Sequence, residues 1–248
     1  MTKKLTPIRS ETLQSRVYGQ LKAALMAGHF APNQELKLRD LAAELGTSPM
    51  PVREALHRLV SERALSEDYA NRSSVRVPEL SIKKFEDLIE ARILNEGTAA
   101  GKAAKTISKS QVSKLSAIND EIQEAIHARE ISRIVKANRK FHFEIYEAAS
   151  SPILLGIIDS LWLQSSAYFH ALIHAAFERV EDLYVSPHDH HGQVLKALRK
   201  NDPEATKAHI VADIEESAAW FQRYLSDDAP EVPASTNKAF KTIPGGKT

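Results

Sequence analysis

The stretch from Leu36 to Leu65, LKLRDLAAELGTSPMPVREALHRLVSERAL, constrains the fold more than any other part of the chain. Leu38, Leu41, Ala42 and Leu45 recur at helical spacing. Gly46-Thr47-Ser48 interrupts them, and Val52, Ala55, Leu56, Leu59 and Val60 resume the period. Two short helices joined by a tight Gly-containing turn make a helix-turn-helix, whose second helix has the shape to enter the major groove of DNA. Ser48 is placed as the N-cap of that helix, and Pro49 and Pro51 suit a first turn whose N–H groups lack intrahelical partners. Arg53 and Arg58 leave the helix with reach for phosphates or guanine edges.

The flanking residues complete a small domain. Leu13, Val17, Leu21, Ala24 and Leu25 predict a helix over 11–27, and Glu35-Leu36-Lys37 a short strand. Ala64-Leu65 and Val75-Arg76-Val77 are expected to pair as two further strands. Pro78-Glu79-Leu80-Ser81 is a hinge, since Pro78 cannot extend a strand ladder and Ser81 can cap the next helix. Beyond it the pattern is helical: a long segment from Ile82 to about Lys105, then 108–128, 131–149, 152–177, 186–200 and 203–225. The fold class expected is mainly α, an N-terminal winged helix-turn-helix (1–78) followed by an all-helical antiparallel bundle (79–228). Residues 229–248, with three prolines and little apolar period, are expected to be a disordered tail.

Charge divides the chain in the same place. Residues 1–78 carry 12 Lys/Arg against 8 Asp/Glu, whereas residues 79–228 carry 18 against 23. A basic head on an acidic body fits a DNA-binding module joined to a domain with another task. The absence of cysteine excludes disulfides, thiolate metal sites and a cysteine nucleophile. Lys3 and Lys4 are followed by no apolar run, and Ile153–Leu163 is short and contains Asp159. A cytoplasmic protein without membrane attachment is expected.

The residues Leu41-Ala42, Leu45-Gly46, Ser48 and Pro51-Val52-Arg53-Glu54-Ala55-Leu56 resemble the signature of GntR-type bacterial transcription regulators, and Asn71-Arg72-Ser73-Ser74-Val75 resembles their wing. The resemblance implies DNA contacts by Arg39, Arg53, Asn71 and Arg72; Ser48 at the turn and Arg58 on the recognition helix complete the candidate DNA-binding set. Pro49 stands where the family often has Arg, so one contact of the family pattern is missing. The helical half is similar to the FCD effector domain of the FadR-like subfamily, through Ala91-Arg92-Ile93-Leu94, Glu96, Ala99-Ala100, Asn138, Phe141-His142, His191, Asp202 and Ala205.

Spacing also suggests chemistry there. Asn138 and His142 lie one turn apart on one helix face, with His191 on a separate helix and Asp213 on the next. Three helices could point these side chains inward around a cation. Many FCD domains hold a divalent metal in this way with His at the last position. Asp213 in its place makes the set harder, moving preference from Zn²⁺ or Ni²⁺ towards Mn²⁺ or Mg²⁺. His209, one turn before Asp213, is the rival ligand. Of the run His188-Asp189-His190-His191, one inward residue, His191, and solvated neighbours are expected. His170 and His174 read as packing or pocket lining. Arg92 lies among apolar neighbours, so it is either half of an internal ion pair or, as the resemblance implies, a fork for the carboxylate of an organic-acid effector.

The expectation is a homodimeric, operator-binding repressor, not an enzyme. Its affinity for double-stranded DNA would respond to a small carboxylate bound beside a divalent metal (Zn, Ni or Mn). A metal-responsive regulator without organic effector is the alternative. A metal-dependent hydrolase is more remote, since there is no HExxH and no evident base beside the ligand set.

Overall fold

The computed structural model describes residues 12–68, 74–168, 171 and 189–226. Helix α1 (Leu13–Met26) starts where the Thr12 hydroxyl accepts the Ser15 N–H at 3.2 Å, and it buries Val17, Leu21, Leu25 and Met26. Strand β1 (Glu35–Lys37) leads into α2 (Leu38–Glu44) and α3 (Pro49–Ser61). The turn between these two helices needs Gly46, whose φ is +60°. Helix α3 buries Val52, Ala55, Leu56 and Leu59, two of them with no exposed surface, against α1 and α2.

Strands β2 (Ser66–Glu67) and β3 (Ser74–Arg76) complete an antiparallel sheet of order β1-β3-β2. Leu36 faces Val75, and Glu67 faces Val75 from the other side. The wing therefore begins later than the apolar pattern suggests. Ala64 and Leu65 both donate their N–H to the Leu59 carbonyl, and their side chains enter the core at 1% and 3% exposure. Burial accounts for their apolar character, and the exposed pair Ser66-Glu67 makes the ladder. Asn71 and Arg72 lie outside the described residues.

The body is helical. Its helices are α4 (Ile82–Thr106), α5 (Lys109–His127), α6 (Ile131–Ala148), α7 (Pro152–Gln164), α8 (His190–Arg199) and α9 (Pro203–Ser226). Their starts follow the caps in the sequence. The Ser81 hydroxyl accepts the Lys84 N–H, Ser108 and Gln111 form a capping box, and Asp202 accepts the Ala205 N–H at 3.0 Å. The segment expected as one helix over 152–177 is interrupted at Ser165, whose N–H and hydroxyl both turn back to the Leu161 carbonyl. Helices α4 and α9 lie close together at Gly97, where a Cβ would stand 3.0 Å from the Val211 side chain.

One apolar core runs from the head into the body without a break. A second cluster of Phe85, Leu88, Tyr168, Ala171, Ala218 and Phe221 lies beneath the hinge. There the Tyr168 hydroxyl donates to the Ser81 carbonyl and accepts the Ser81 N–H. Among the described residues no helix is long and apolar enough to cross a membrane. The tail expected over 229–248, the His170–His174 pair and His188 lie outside the described residues.

Candidate functional site

Helix α6 presents Asn138, His142 and Tyr146 at four-residue intervals, which puts them on one stripe. His142 is 2% exposed, and its Nε2 lies 3.2 Å from Oδ2 of Asp213 on α9. His191, in the first turn of α8, brings its Nε2 to 3.8 Å from Oδ1 of the same carboxylate. Two contacts hold the His191 ring in place. Asp189 caps α8 by accepting the Gly192 N–H at 2.8 Å, and the imidazole stacks on Phe141 with centroids 4.2 Å apart. Donor atoms of His142, His191 and Asp213 all lie within 4.8 Å of one another.

This set fits a divalent cation. Ligands about 2.1 Å from a metal stand about 3.0–3.4 Å apart in octahedral or tetrahedral arrangements; the His142–Asp213 spacing of 3.2 Å lies in that range, and the His191–Asp213 spacing of 3.8 Å is wider. The His191 Nε2 is buried with no hydrogen-bond partner, an atom that a cation would satisfy. Burial lowers the His191 imidazole to about 4 despite the nearby Asp213 carboxylate, so at neutral pH it offers a lone pair. Burial alone would raise Asp213. The His142 hydrogen bond and the charges of the neighbouring imidazoles outweigh it and hold the acid well below its ordinary value. Two imidazoles and a carboxylate from three helices can take a borderline metal, and Asn138 stands one turn before His142, half-buried on the same stripe. His209, the rival to Asp213, is not in the convergent group.

A chain of buried hydrogen bonds continues from His142. Its Nδ1 lies 3.0 Å from the Tyr146 hydroxyl, which donates to Glu96 Oε2 at 2.6 Å. Glu96, on α4 and wholly buried, accepts from Arg92 Nε at 2.6 Å through its other oxygen. Arg92 also lies over the Trp162 ring at 4.7 Å. Of the two readings that the sequence leaves open for Arg92, this geometry supports the internal ion pair. Burial first, and then the Glu96 charge, push the Tyr146 phenol well above its ordinary value, so the hydroxyl keeps its proton. His190 is not a solvated neighbour as expected: its Nε2 pairs with Glu216, and its side chain is 16% exposed.

In the head, Arg39, Ser48 and Arg53 are exposed on α2, at the turn and on α3. Ser48 occupies the N-cap position but makes no capping bond. The N3 residue is Pro51, which has no N–H to give. Arg58 turns back onto the head, 3.7 Å above the Tyr18 ring, with its Nε donating to Glu62 at 2.9 Å. Met50, overlooked in the sequence, is 64% exposed in the first turn of α3, where an apolar side chain can meet a thymine methyl. Tyr146 was overlooked too, although it continues the 138–142 spacing by one more turn.

Comparison with known proteins agrees with both halves. The profile of the gntR family of bacterial regulatory proteins matches residues 13–75, and that of the FCD domain matches residues 87–216. The HTH-type transcriptional regulator McbR of Escherichia coli is 30% identical over 216 residues, covering 86% of this chain and 95% of that relative. The Exu regulon transcriptional regulator of Escherichia coli is 30% identical over 144 residues, 57% of this chain and 53% of that relative. The solved structure of Escherichia coli McbR/YncC superposes with a TM-score of 0.77 at 27% identity, over 87% of this chain and 100% of that one. A regulator structure from Rhodococcus sp. RHA1, at TM-score 0.68 and 23% identity over 85% of this chain and 97% of that one, shares the fold. With a GntR head and an FCD domain that together occupy most of its length, the chain belongs to the GntR family of bacterial transcription regulators.

Proposed function

We propose that this regulator is a homodimeric repressor whose operator affinity is set by a small carboxylate bound at a divalent cation. The cation would be held by Asn138, His142, His191 and Asp213. The observation that carries this reading is the convergence of three donors from α6, α8 and α9, with the buried His191 Nε2 lacking a hydrogen-bond partner. The domains 1–78 and 79–228 divide the work: the head reads DNA through Arg39, Ser48, Arg53, Asn71 and Arg72, and the body senses the ligand. Two heads are needed because a single small helix-turn-helix reads half of a two-fold operator. The bound cation would supply charge to hold the effector carboxylate.

Coupling requires the effector to favour one arrangement of the heads, typically by about 1–3 kcal/mol. The domains are joined where α1 packs on α7, through the ion pair of Lys22 and Asp159. A second reading, a regulator answering to metal alone, is favoured by the engagement of Arg92 with Glu96, which leaves the guanidinium poorly placed to grip a carboxylate. Operator binding by fluorescence anisotropy decides between them. Full-length protein is stripped with EDTA, then given Zn²⁺ or Mn²⁺ alone, and then the same metal with a panel of small organic acids. A response only with metal and acid together supports the first reading, a full response to metal alone the second. Operator affinity indifferent to EDTA, metal and acids would sink both.

A further inference from the structure

We propose that Tyr146 and Glu96 are positioning residues for the cation site: they fix the tautomer and tilt of His142 so that its Nε2 faces the position shared with Asp213. The inference rests on the metal reading given above and adds two residues outside the proposed ligand set.

The hydrogen-bond chain runs in one direction. The Tyr146 hydroxyl has a single proton, and Glu96 Oε2, an acceptor 2.6 Å away, takes it. The phenolic oxygen is then left as an acceptor toward His142 Nδ1 at 3.0 Å, so that ring nitrogen carries the proton. In a neutral imidazole the lone pair falls on Nε2, the atom 3.2 Å from Asp213 Oδ2. In the metal-free protein the Asp213 carboxylate takes a hydrogen bond from His142; a cation between them would take the Nε2 lone pair instead, which the proton on Nδ1 leaves available.

The Tyr146 ring is 1% exposed and Glu96 is wholly buried, so neither partner has water as a substitute. Arg92 completes the chain by donating to the second Glu96 oxygen, which fixes the orientation of the carboxylate. Metal-binding histidines commonly depend on such outer partners, whose loss weakens metal affinity about 10- to 100-fold. The chain also connects the α6 ligand to α4, the helix that continues from the hinge behind the wing.

The test uses full-length protein, wild type and Tyr146→Phe, with Glu96→Gln as a second variant that retains an acceptor for the hydroxyl. Tyr168→Phe, which removes a tyrosine hydroxyl outside the site, is the control. Two quantities are read: Zn²⁺ affinity by calorimetric competition with a chelator, and the His142 tautomer by ¹⁵N NMR in metal-free and Zn²⁺-loaded protein. The expected result is an Nδ1–H tautomer for His142 in wild type and Zn²⁺ binding about 10- to 100-fold weaker in Tyr146→Phe. Glu96→Gln falls between, and Tyr168→Phe matches wild type. If wild type binds Zn²⁺ and Tyr146→Phe binds it within twofold, the positioning role is wrong while the metal reading stands. A His142 that carries its proton on Nε2 in the loaded protein overturns the inference equally. If wild type takes up no Zn²⁺, the metal reading fails and this inference falls with it.

Discussion

Lys22 on α1 of the DNA-binding head pairs with Asp159 on α7 of the helical body, across the boundary between the two domains. Asp159 is approached from the other side by Arg139 Nη2 at 3.6 Å, and Arg139 is the residue immediately after Asn138 on α6. A shift of α6 at the proposed cation site therefore has a short physical path to the head.

The pair is partly buried, with side-chain exposures of 19% and 29%, so it should exceed an ordinary surface bridge. A double-mutant cycle of Lys22→Met and Asp159→Asn, followed by urea denaturation, is expected to give a coupling energy of about 1 kcal/mol. Either single variant should also reduce the change in operator affinity produced by the ligand. Zero coupling would mean that head and body do not meet this way in solution.

Arg92 gives a different kind of prediction. Replacing it by Ala leaves Glu96 without its guanidinium in a site with no exposed surface. Breaking one side of such a buried pair typically costs about 3–5 kcal/mol, so Arg92→Ala should unfold well below wild type in a thermal melt. The double variant Arg92→Met/Glu96→Gln should recover much of that loss. A carboxylate fork would behave otherwise: Arg92→Ala would keep wild-type stability and lose only the effector response.

Much of this architecture is written openly in the sequence, because local rules dominate where the head and the helix starts are concerned. Gly46 at positive φ, the Ser108–Gln111 capping box and the Asp202 cap are each short-range features with one physical solution. The convergence of His142, His191 and Asp213 is legible as a set of inward positions on three helices. Their distances are not, since these depend on how α6, α8 and α9 pack. The Arg92 partner is hidden for a related reason. Its i+4 neighbour Glu96 is visible, but only the fold shows that both are buried and that Tyr146 joins them from another helix. The wing is misplaced by two residues because apolar character marks burial as well as strand pairing, and Ala64-Leu65 are buried without pairing.

The metal-free protein should lose stability in acid through His191. Burial lowers its folded value to about 4 from an ordinary 6.5. Between those two limits the unfolded chain binds more protons than the folded one, so stability falls as the pH drops from 6.5 toward 4 and is unaffected by this group outside that window. The full effect is about 3 kcal/mol at most. Urea denaturation of EDTA-treated protein at pH 7, 6 and 5 should show this decline, and His191→Phe, which keeps a flat ring against Phe141, should reduce its slope. Equal slopes for the two proteins would place His191 in contact with water.

The two arginines of the recognition helix should separate cleanly in DNA binding, although the sequence gives them the same role. They are five residues apart, roughly 140° around the helix, so they cannot share a face. Both are exposed, but Arg58 lies over the Tyr18 ring at 3.7 Å and donates to the Glu62 carboxylate at 2.9 Å, contacts within the head. Arg53→Ala is expected to weaken operator binding by about 1–3 kcal/mol, roughly 10- to 100-fold, and to relax discrimination at the base pair it meets. Arg58→Ala should change operator affinity by less than about threefold and instead lower the stability of the head by about 1 kcal/mol, through the lost ring contact and ion pair. Anisotropy titrations against one operator fragment, beside urea melts of the same variants, measure both. Comparable losses of affinity would mean that Arg58 leaves Tyr18 and Glu62 when DNA arrives, and that the contact with α1 is a resting position.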